Sequence, residues 1–254
     1  MRYFTKVAWI ALAGLPLVIP VSGVADDQKG KPMPQIGEAQ TKKPPTTVRM
    51  PVYKPPRRGA PRGRVGGGTR GIGDERPVLS TLAPDHTGLT VEEQPSLFWY
   101  LSSSTTYPIV VTIIDDQAIQ PLFSRRLSPP VQPGVQRVRL AEYGVRLLPG
   151  VQYQWYVALV VDPDRRSKDI IAGGIIERVE PPEALRAKLV QAGKAKTPYV
   201  YAEAGIWYDA VTAISDQIDA SPDDPVFRSQ RASLLEQVGL PEVAEYDMRH
   251  SPAE

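Results

Sequence analysis

Residues 148–161, LPGVQYQWYVALVV, decide the fold of this chain. Pro149 and Gly150 form a turn signal, and a long apolar run follows them over residues 151–161. Such a run, with Trp155 near its centre, is typical of a buried β-strand. The stretch therefore predicts a strand packed inside a β-domain.

Five more short apolar runs, separated by Pro, Gly and Asp, lie on either side of this strand. We expect them to form strands over residues 96–101, 109–114, 121–127, 135–140 and 170–179. Six strands with turn signals at near-regular spacing are typical of an antiparallel β-sandwich, in which each sheet buries one face. The expected core residues are Trp99, Val111, Ile113, Trp155, Val157 and Leu159.

Residues 148–155 resemble the tyrosine corner of fibronectin type III and immunoglobulin-like domains. In that corner a Tyr at the start of a late strand, here Tyr153, hydrogen-bonds back to the residues before it. The chain contains no Cys, so the fibronectin type is the nearer comparison. The expected fold is mainly β plus α: an antiparallel immunoglobulin/fibronectin III-like β-sandwich over residues 77–180, followed by helices.

After Pro181 and Pro182 the spacing of apolar residues becomes helical. It predicts one helix over residues 183–192, a second that begins at 199–207 and continues to 220, and a third over 225–238.

Within the helical part, the spacing between Gly205 and Gly239 equals that between Ala210 and Ala244. The order Gly-x-Trp-Tyr-Asp-Ala, with Pro222 twelve positions on, is similar to the turn and second helix of a tetratricopeptide repeat. The period of that repeat, about 34 residues, matches the spacing of the two Gly. About one and a half repeats fit, whereas about three are needed for independent stability. We therefore expect residues 181–250 to form a tetratricopeptide-like hairpin docked on the sandwich or on another protein.

Residues 1–25 have the layout of a secretory signal peptide. Arg2 and Lys6 precede an apolar stretch over residues 7–21, and small residues lead to a cleavage site after Ala25. The apolar stretch is shorter than the roughly 20 residues that span a bilayer, which favours a cleaved signal over a retained anchor. We expect a soluble periplasmic or secreted protein.

Residues 26–76 hold 12 Lys or Arg against 5 Asp or Glu, together with 8 Pro and 9 Gly. With almost no large apolar side chains, this segment is expected to be a disordered, basic linker. Residues 77–254 hold 16 basic and 23 acidic residues, so a basic arm precedes an acidic body. The arm is expected either to bind an anionic surface or to act as a solvated spacer; no nucleic-acid partner is expected.

The most glycine-dense stretch, residues 62–71, ends the arm. It lacks the Lys-Ser/Thr of a P-loop and the strand before it, so a nucleotide-binding loop is excluded. Its Arg62, Arg64 and Arg70 are candidates for anion binding together with backbone amides; the alternative is a flexible domain boundary.

Residues 162–169, DPDRRSKD, are the best candidate for a site with chemical activity in the predicted β-sandwich. The spacing fails the calcium loop, because Arg166 and Ser167 stand where a fifth-position ligand and a Gly are required. The interleaved charges favour a turn neutralised by its own Asp-Arg pairs.

Three Trp-Tyr pairs, at residues 99–100, 155–156 and 207–208, supply aromatic rings for packing or for binding a glycan or protein. Core packing is the simpler interpretation. The candidate interaction residues are Trp99, Tyr100, Asp162, Asp164, Arg165, Asp169, Trp207 and Tyr208.

Several stretches together resemble a known bacterial family, domain of unknown function 928. They are residues 58–71, 88–100, 155–169, 174–178 and 201–210, within a resemblance that spans about 57–245. The resemblance implies a secreted or periplasmic bacterial protein, and it brings no catalytic residues with it.

Two functions remain open. The first is an extracytoplasmic, non-catalytic interaction or scaffold module with a protein or cell-envelope partner and no cofactor. The second is an envelope glycan-acting or glycan-binding protein, with carboxylates drawn from Asp162, Asp164, Asp169, Glu177 and Glu203. Only two His and no Cys occur, which excludes multi-His metal sites within one chain, thiolate sites and Cys nucleophiles, and no Gly-x-Ser-x-Gly elbow is present. The first function is preferred.

Overall fold

A computed structural model describes residues 49–56, 64–66, 77–115, 120–129 and 131–249. Within these ranges the chain has a mixed α/β fold, with eight strands in two sheets followed by four helices. All described residues belong to one compact unit. The predicted signal peptide and most of the basic linker lie outside the described residues.

The eight strands are β1 (Leu79–Thr81), β2 (Gly88–Thr90), β3 (Ser96–Leu101), β4 (Ile109–Asp115), β5 (Phe123–Leu127), β6 (Gly134–Arg139), β7 (Gln152–Leu159) and β8 (Ile170–Arg178). One sheet has the order β1-β3-β6 and the other the order β2-β8-β7-β4-β5. All six predicted strands are present, each with ends within two residues of the expected ones.

The sheets differ from the prediction in two ways: they contain two additional strands, and one strand pair is parallel. The additional strands, β1 and β2, are only three residues long, too short for apolar periodicity to show them. The chain leaves β1 in the smaller sheet, forms β2 at the edge of the larger one, and returns to the smaller sheet as β3. Because β2 runs in the same direction as β8, that pair is parallel.

The core lies between the two sheets and continues under the helices. Alternate residues of β4, namely Ile109, Val111 and Ile113, are fully buried, as period-two side-chain alternation requires. All six predicted core residues are buried. The Tyr153 hydroxyl accepts a hydrogen bond from the Leu148 backbone N–H at 3.2 Å, which closes the turn before β7.

The helices are α1 (Glu183–Glu203), α2 (Trp207–Ala220), α3 (Pro225–Gln237) and α4 (Pro241–Arg249). Gly193 has a φ of 64° and kinks α1, close to where the sequence predicts the first helix to end. The sequence predicts a second helix that runs through Gly205, but there the chain turns, with a φ of 77°. A Cβ at this Gly would lie 2.7 Å from the Lys54 carbonyl oxygen, so the turn requires glycine. None of the described helices is long and apolar enough to cross a membrane.

Two side chains at the start of α2 join the helices to the sheets. The Trp207 indole N–H donates to the Leu82 carbonyl at 2.8 Å. The Tyr208 hydroxyl donates to the Ile175 carbonyl at 3.0 Å and accepts from the Trp155 indole at 2.8 Å. All three rings are completely or almost completely buried, so the helical layer and the β-part share one core.

Part of the predicted basic linker also packs on this body. Tyr53 is 7% exposed and lies edge-on to the Trp207 ring at a centroid distance of 5.0 Å. Its backbone N–H donates to Gln237 at 2.8 Å, and the Lys54 N–H donates to the Ala202 carbonyl at 3.0 Å. Residues 49–56 therefore differ from the expectation of a disordered linker, because one aromatic anchor and its backbone bonds hold them.

We expect Trp207→Ala to lower the free energy of unfolding by about 3 to 5 kcal/mol, because it removes a buried ring and leaves a cavity. Val190→Ala in α1 is the matched control, since that side chain is 87% exposed, and it should change stability by less than about 0.5 kcal/mol. Denaturant unfolding followed by far-UV circular dichroism and by Trp fluorescence measures both. Separate transitions for helices and β-part would contradict the shared core.

Candidate functional site

A cleft of about 410 Å³ lies where strands β2, β3 and β6 meet helices α1 and α2. We call it the β/α cleft, and define it by Thr90, Glu92, Arg137, Tyr201, Asp209 and Asp216 in its lining. Its volume falls within the range of small-molecule sites, about 300 to 1,000 Å³.

Asp209 is the buried carboxylate of this cleft. It lies in the first turn of α2, beside the docked Tyr208, and only 4% of it is exposed. One oxygen, Oδ2, accepts from the Val91 backbone N–H at 3.3 Å, and the Thr90 hydroxyl also hydrogen-bonds the carboxylate. The other oxygen, Oδ1, is buried and has no hydrogen-bond partner among the described residues.

The pKa of Asp209 is raised to about 7: burial is the largest cause and the Glu92 carboxylate adds to it, while hydrogen bonds from Thr90, Val91 and the Asp209 N–H act in the opposite direction. The pKa of Tyr201 rises to about 12, first through burial and then through Asp209 and Glu92. Two carboxylates and a phenol are thus electrostatically coupled at one end of the cleft, the acidic end.

Arg137 closes the opposite end. Its guanidinium donates to Asp216 at 2.5 Å and lies 3.6 Å from Asp219. Its Nε donates to the Ser96 hydroxyl at 3.0 Å, and the group lies over the Phe98 ring. The positive charge at this end is therefore already neutralised by acids of α2.

The residues predicted at 162–169 form a self-paired turn away from the cleft. Arg165 donates to Asp162 at 2.7 Å, Lys168 lies 3.3 Å from the same carboxylate, and Arg166 donates to Asp169 at 2.7 Å. Hydrogen bonds from Arg165 hold the pKa of Asp162 below its usual value. Asp164 is exposed, and its N–H donates to Asp162 at 3.1 Å. Asp162 and Asp169 are thus paired with cations of the same turn, as the sequence predicts for a structural turn, although Asp169 Oδ1 is buried and has no hydrogen-bond partner among the described residues.

The four aromatic candidates outside this turn, Trp99, Tyr100, Trp207 and Tyr208, are all buried. Their rings pack in the core. Only Tyr208 also borders the β/α cleft.

Arg64, one of the three predicted anion-binding residues, is bonded within the fold. Its guanidinium donates to three backbone carbonyls, those of Ala83 at 3.0 Å, Val238 at 3.2 Å and Gly239 at 2.9 Å. Two of these carbonyls lie in the turn that follows α3 and the third lies in the β-part, so the side chain is already occupied and an anion would have to displace these bonds. Arg62 and Arg70 lie outside the described residues.

The other two acids considered for glycan chemistry do not enter the cleft either. Glu177 is buried and accepts from the Gln152 amide at 3.0 Å, whereas the exposed Glu203 pairs with Lys54 at 2.9 Å. Among the described residues, no group of three or more His, Cys, Asp or Glu is placed to hold a metal ion.

Glu92, Arg137 and Asp209 are functional candidates that the sequence did not predict. A usable signal existed for Asp209, since this acid stands within the run Ile206-Trp-Tyr-Asp-Ala-Val211, whose other members are all apolar or aromatic. An acid on a buried helical face requires a partner or a function. No local signal joins it to Glu92 and Arg137, which lie far earlier in the chain, in the β-part.

The model of the family described as Domain of Unknown Function (DUF928) matches residues 65–248. No curated protein matches the chain.

We expect Asp209→Asn to stabilise the protein at pH 8 and to leave its stability unchanged near pH 4. An unfolded Asp loses its proton near pH 3.9, whereas the folded one keeps it to about pH 7. The native carboxylate therefore destabilises the fold increasingly from about pH 4 to pH 7, by on the order of 4 kcal/mol above that range. Urea unfolding of both proteins between pH 4 and pH 8 measures this difference. An equal effect at both pH values would contradict a buried, uncompensated charge.

Proposed function

The chain belongs to the DUF928 family, and for this member we propose the function of an extracytoplasmic, non-catalytic interaction module whose binding site is the β/α cleft. The observation that carries the proposal is the buried Asp209 carboxylate: the residue lines the cleft, and its buried Oδ1 has no hydrogen-bond partner among the described residues. Buried, uncompensated carboxylates are costly, and groups with strongly shifted pKa values concentrate at functional sites. A bound group that donates a hydrogen bond to Oδ1 removes this cost.

The proposed fold of the β-part is a fibronectin III- or immunoglobulin-like sandwich. Two observations support it: β1, β3 and β6 form one sheet, with β4, β7 and β8 in the other, the order that these domains give to strands A, B, E and C, F, G. The Tyr153 to Leu148 bond at the start of β7 has the position of a tyrosine corner.

The proposed tetratricopeptide-like character of the helices has similar support. Gly205 and Gly239 both have positive φ and separate α1 from α2 and α3 from α4. Their spacing along the chain is the period of this repeat, and two helix pairs with the same turn at that period are what a tandem of such repeats requires. The extracytoplasmic location is proposed from the signal-like residues 1–25.

A second candidate function is action on an envelope glycan. It is favoured by the presence of Glu92 and Asp209 on one cleft, with the pKa of Asp209 raised to about 7. Two carboxylates in environments that separate their pKa values are the arrangement that acid-base catalysis uses. It differs from the first proposal in requiring turnover.

The test compares the mature chain with Glu92→Gln and Asp209→Asn. We expect each variant to lose at least about tenfold in cross-linked partner recovered from envelope fractions, since each removes a charge from the acidic end. Asp164→Asn in the remote turn is the matched control and should capture normally. Equal capture by all four proteins contradicts a binding role for the cleft. Release of soluble sugars from isolated envelope glycan, abolished by both cleft variants, supports the second candidate instead.

The basic linker is proposed to add a salt-sensitive contact with an anionic surface. Lys54 and Arg64 are engaged with the folded body, so the test variant replaces Arg57, Arg58, Arg62 and Arg70 with Gln. Binding to vesicles containing anionic lipid should fall as the Debye length shrinks from about 10 Å at 0.1 M salt to about 3 Å at 1 M. The variant should bind weakly at both concentrations. Salt-independent binding that the variant retains rules the contact out.

A further inference from the structure

The acidic end of the β/α cleft has a net negative charge that the described residues do not compensate. Asp209 is buried, Glu92 is exposed, and each forms no ion pair with a described Lys, Arg or His. The two cations in the cleft lining, Arg137 and Arg139, are held by Asp216, Asp219 and Glu142. The acidic end of the cleft therefore has no described cation beside Asp209 or Glu92.

The hydrogen bonds of Asp209 restrict the shape of the missing group. The Val91 N–H donates to Oδ2, and the Thr90 hydroxyl also hydrogen-bonds this carboxylate, while Oδ1 has no donor among the described residues. A guanidinium binds best when both carboxylate oxygens are open to its two parallel N–H groups. An ammonium group is a compact charge with three rotatable donors, so it needs only one open oxygen.

Other ligands fit these observations less well. A hydroxyl group donates to Oδ1 but leaves the charge uncompensated. A hard divalent cation takes six or more oxygens, and two carboxylates beside one hydroxyl are a poor set. The volume of about 410 Å³ also limits the occupant to the size of a small molecule or one side chain.

We propose that the acidic end of the β/α cleft binds a primary ammonium group, which donates one N–H to Asp209 Oδ1 and lies beside the Glu92 carboxylate. The group belongs to a small organic amine or to a Lys side chain, which have the same chemistry at this site. The inference rests on the proposed function, because it takes the cleft as the binding surface and names the chemical group that it recognises.

Protonation of Asp209 gives the site a dependence on pH. The charged and titratable groups around this carboxylate are Glu92 and Tyr201 near it and Arg137, Arg139 and Asp216 across the cleft. An ammonium ion favours the ionised carboxylate, so affinity should rise as pH increases through 7. It should rise until the amine itself loses its proton near pH 10.

Isothermal titration of the mature chain with 1,4-diaminobutane and with N-acetyl-lysine amide tests the proposal. We expect saturable binding at pH 8 that is at least about tenfold weaker at pH 5.5, where most of the Asp209 carboxylate is protonated. Asp209→Asn should abolish binding, Glu92→Gln should weaken it severalfold, and Asp164→Asn should leave it unchanged. The probe that binds more tightly identifies the source, a free amine or a Lys side chain.

Two comparisons keep the outcomes distinct. Equal binding of 1,4-butanediol, which has hydroxyl groups in place of the amines, overturns the ammonium assignment in favour of a polyol ligand. Binding of Ca²⁺ alone that Asp209→Asn abolishes overturns it in favour of a metal.

If neither amine binds at pH 8 while envelope capture still depends on Asp209, the inference fails and the proposed function stands. If capture is also independent of Asp209, both fail.

Discussion

The buried hydroxyl of Tyr208 is the contact on which the arrangement of the whole body depends. It accepts from the Trp155 indole on β7 and donates to the Ile175 carbonyl on β8, so one phenol links two strands to α2. Its ring needs space, and Gly88 provides it: a Cβ at that position would lie 2.6 Å from a Tyr208 ring carbon. Because both hydrogen bonds of this hydroxyl lie inside an apolar core, they fix the position of α2 on the sheet. A shift of α2 would break the bonds to the Trp155 indole and the Ile175 carbonyl, which is costly for buried polar groups.

The position of the cleft follows from this contact. Asp209 is the next residue after Tyr208, so the docking of that ring places the carboxylate beside Thr90 and Val91. The Trp207 indole, bonded to the Leu82 carbonyl, fixes the same helical turn from the other side. The acid cannot turn to solvent without releasing one of these bonds. The rigidity of the core thus holds an ionisable carboxylate in a place where burial disfavours its charged form.

Local patterns in the sequence were sufficient for most of the fold and for little of the site. Apolar runs and turn residues located six strands, and core packing was the simpler interpretation of the Trp-Tyr pairs, because burial follows from period and side-chain type. The three-residue strands β1 and β2 have no period to detect. Tyr53 is one aromatic residue in a Pro-rich basic segment, and its partners Trp207 and Gln237 lie in helices near the other end of the chain. The cleft joins residues from five elements, and such a juxtaposition is a property of the tertiary structure.

A second acid, Asp247, is buried in the helical layer and has a cation as its partner. The lack of a described cation beside Asp209 is therefore not a general property of this core. Asp247 on α4 is fully buried, and the Arg231 guanidinium donates to both of its oxygens, at 2.6 and 2.7 Å. Arg231 also donates to the Ser215 hydroxyl at 3.0 Å, which completes a satisfied network. The same helices therefore accommodate a buried carboxylate by giving it a cation and two hydrogen bonds. Asp209 has hydrogen bonds from Val91 and Thr90 but no described cation, and its buried Oδ1 has no hydrogen-bond partner among the described residues. The contrast assigns Asp247 to the stability of the fold and supports the proposal that Asp209 serves a ligand of the cleft.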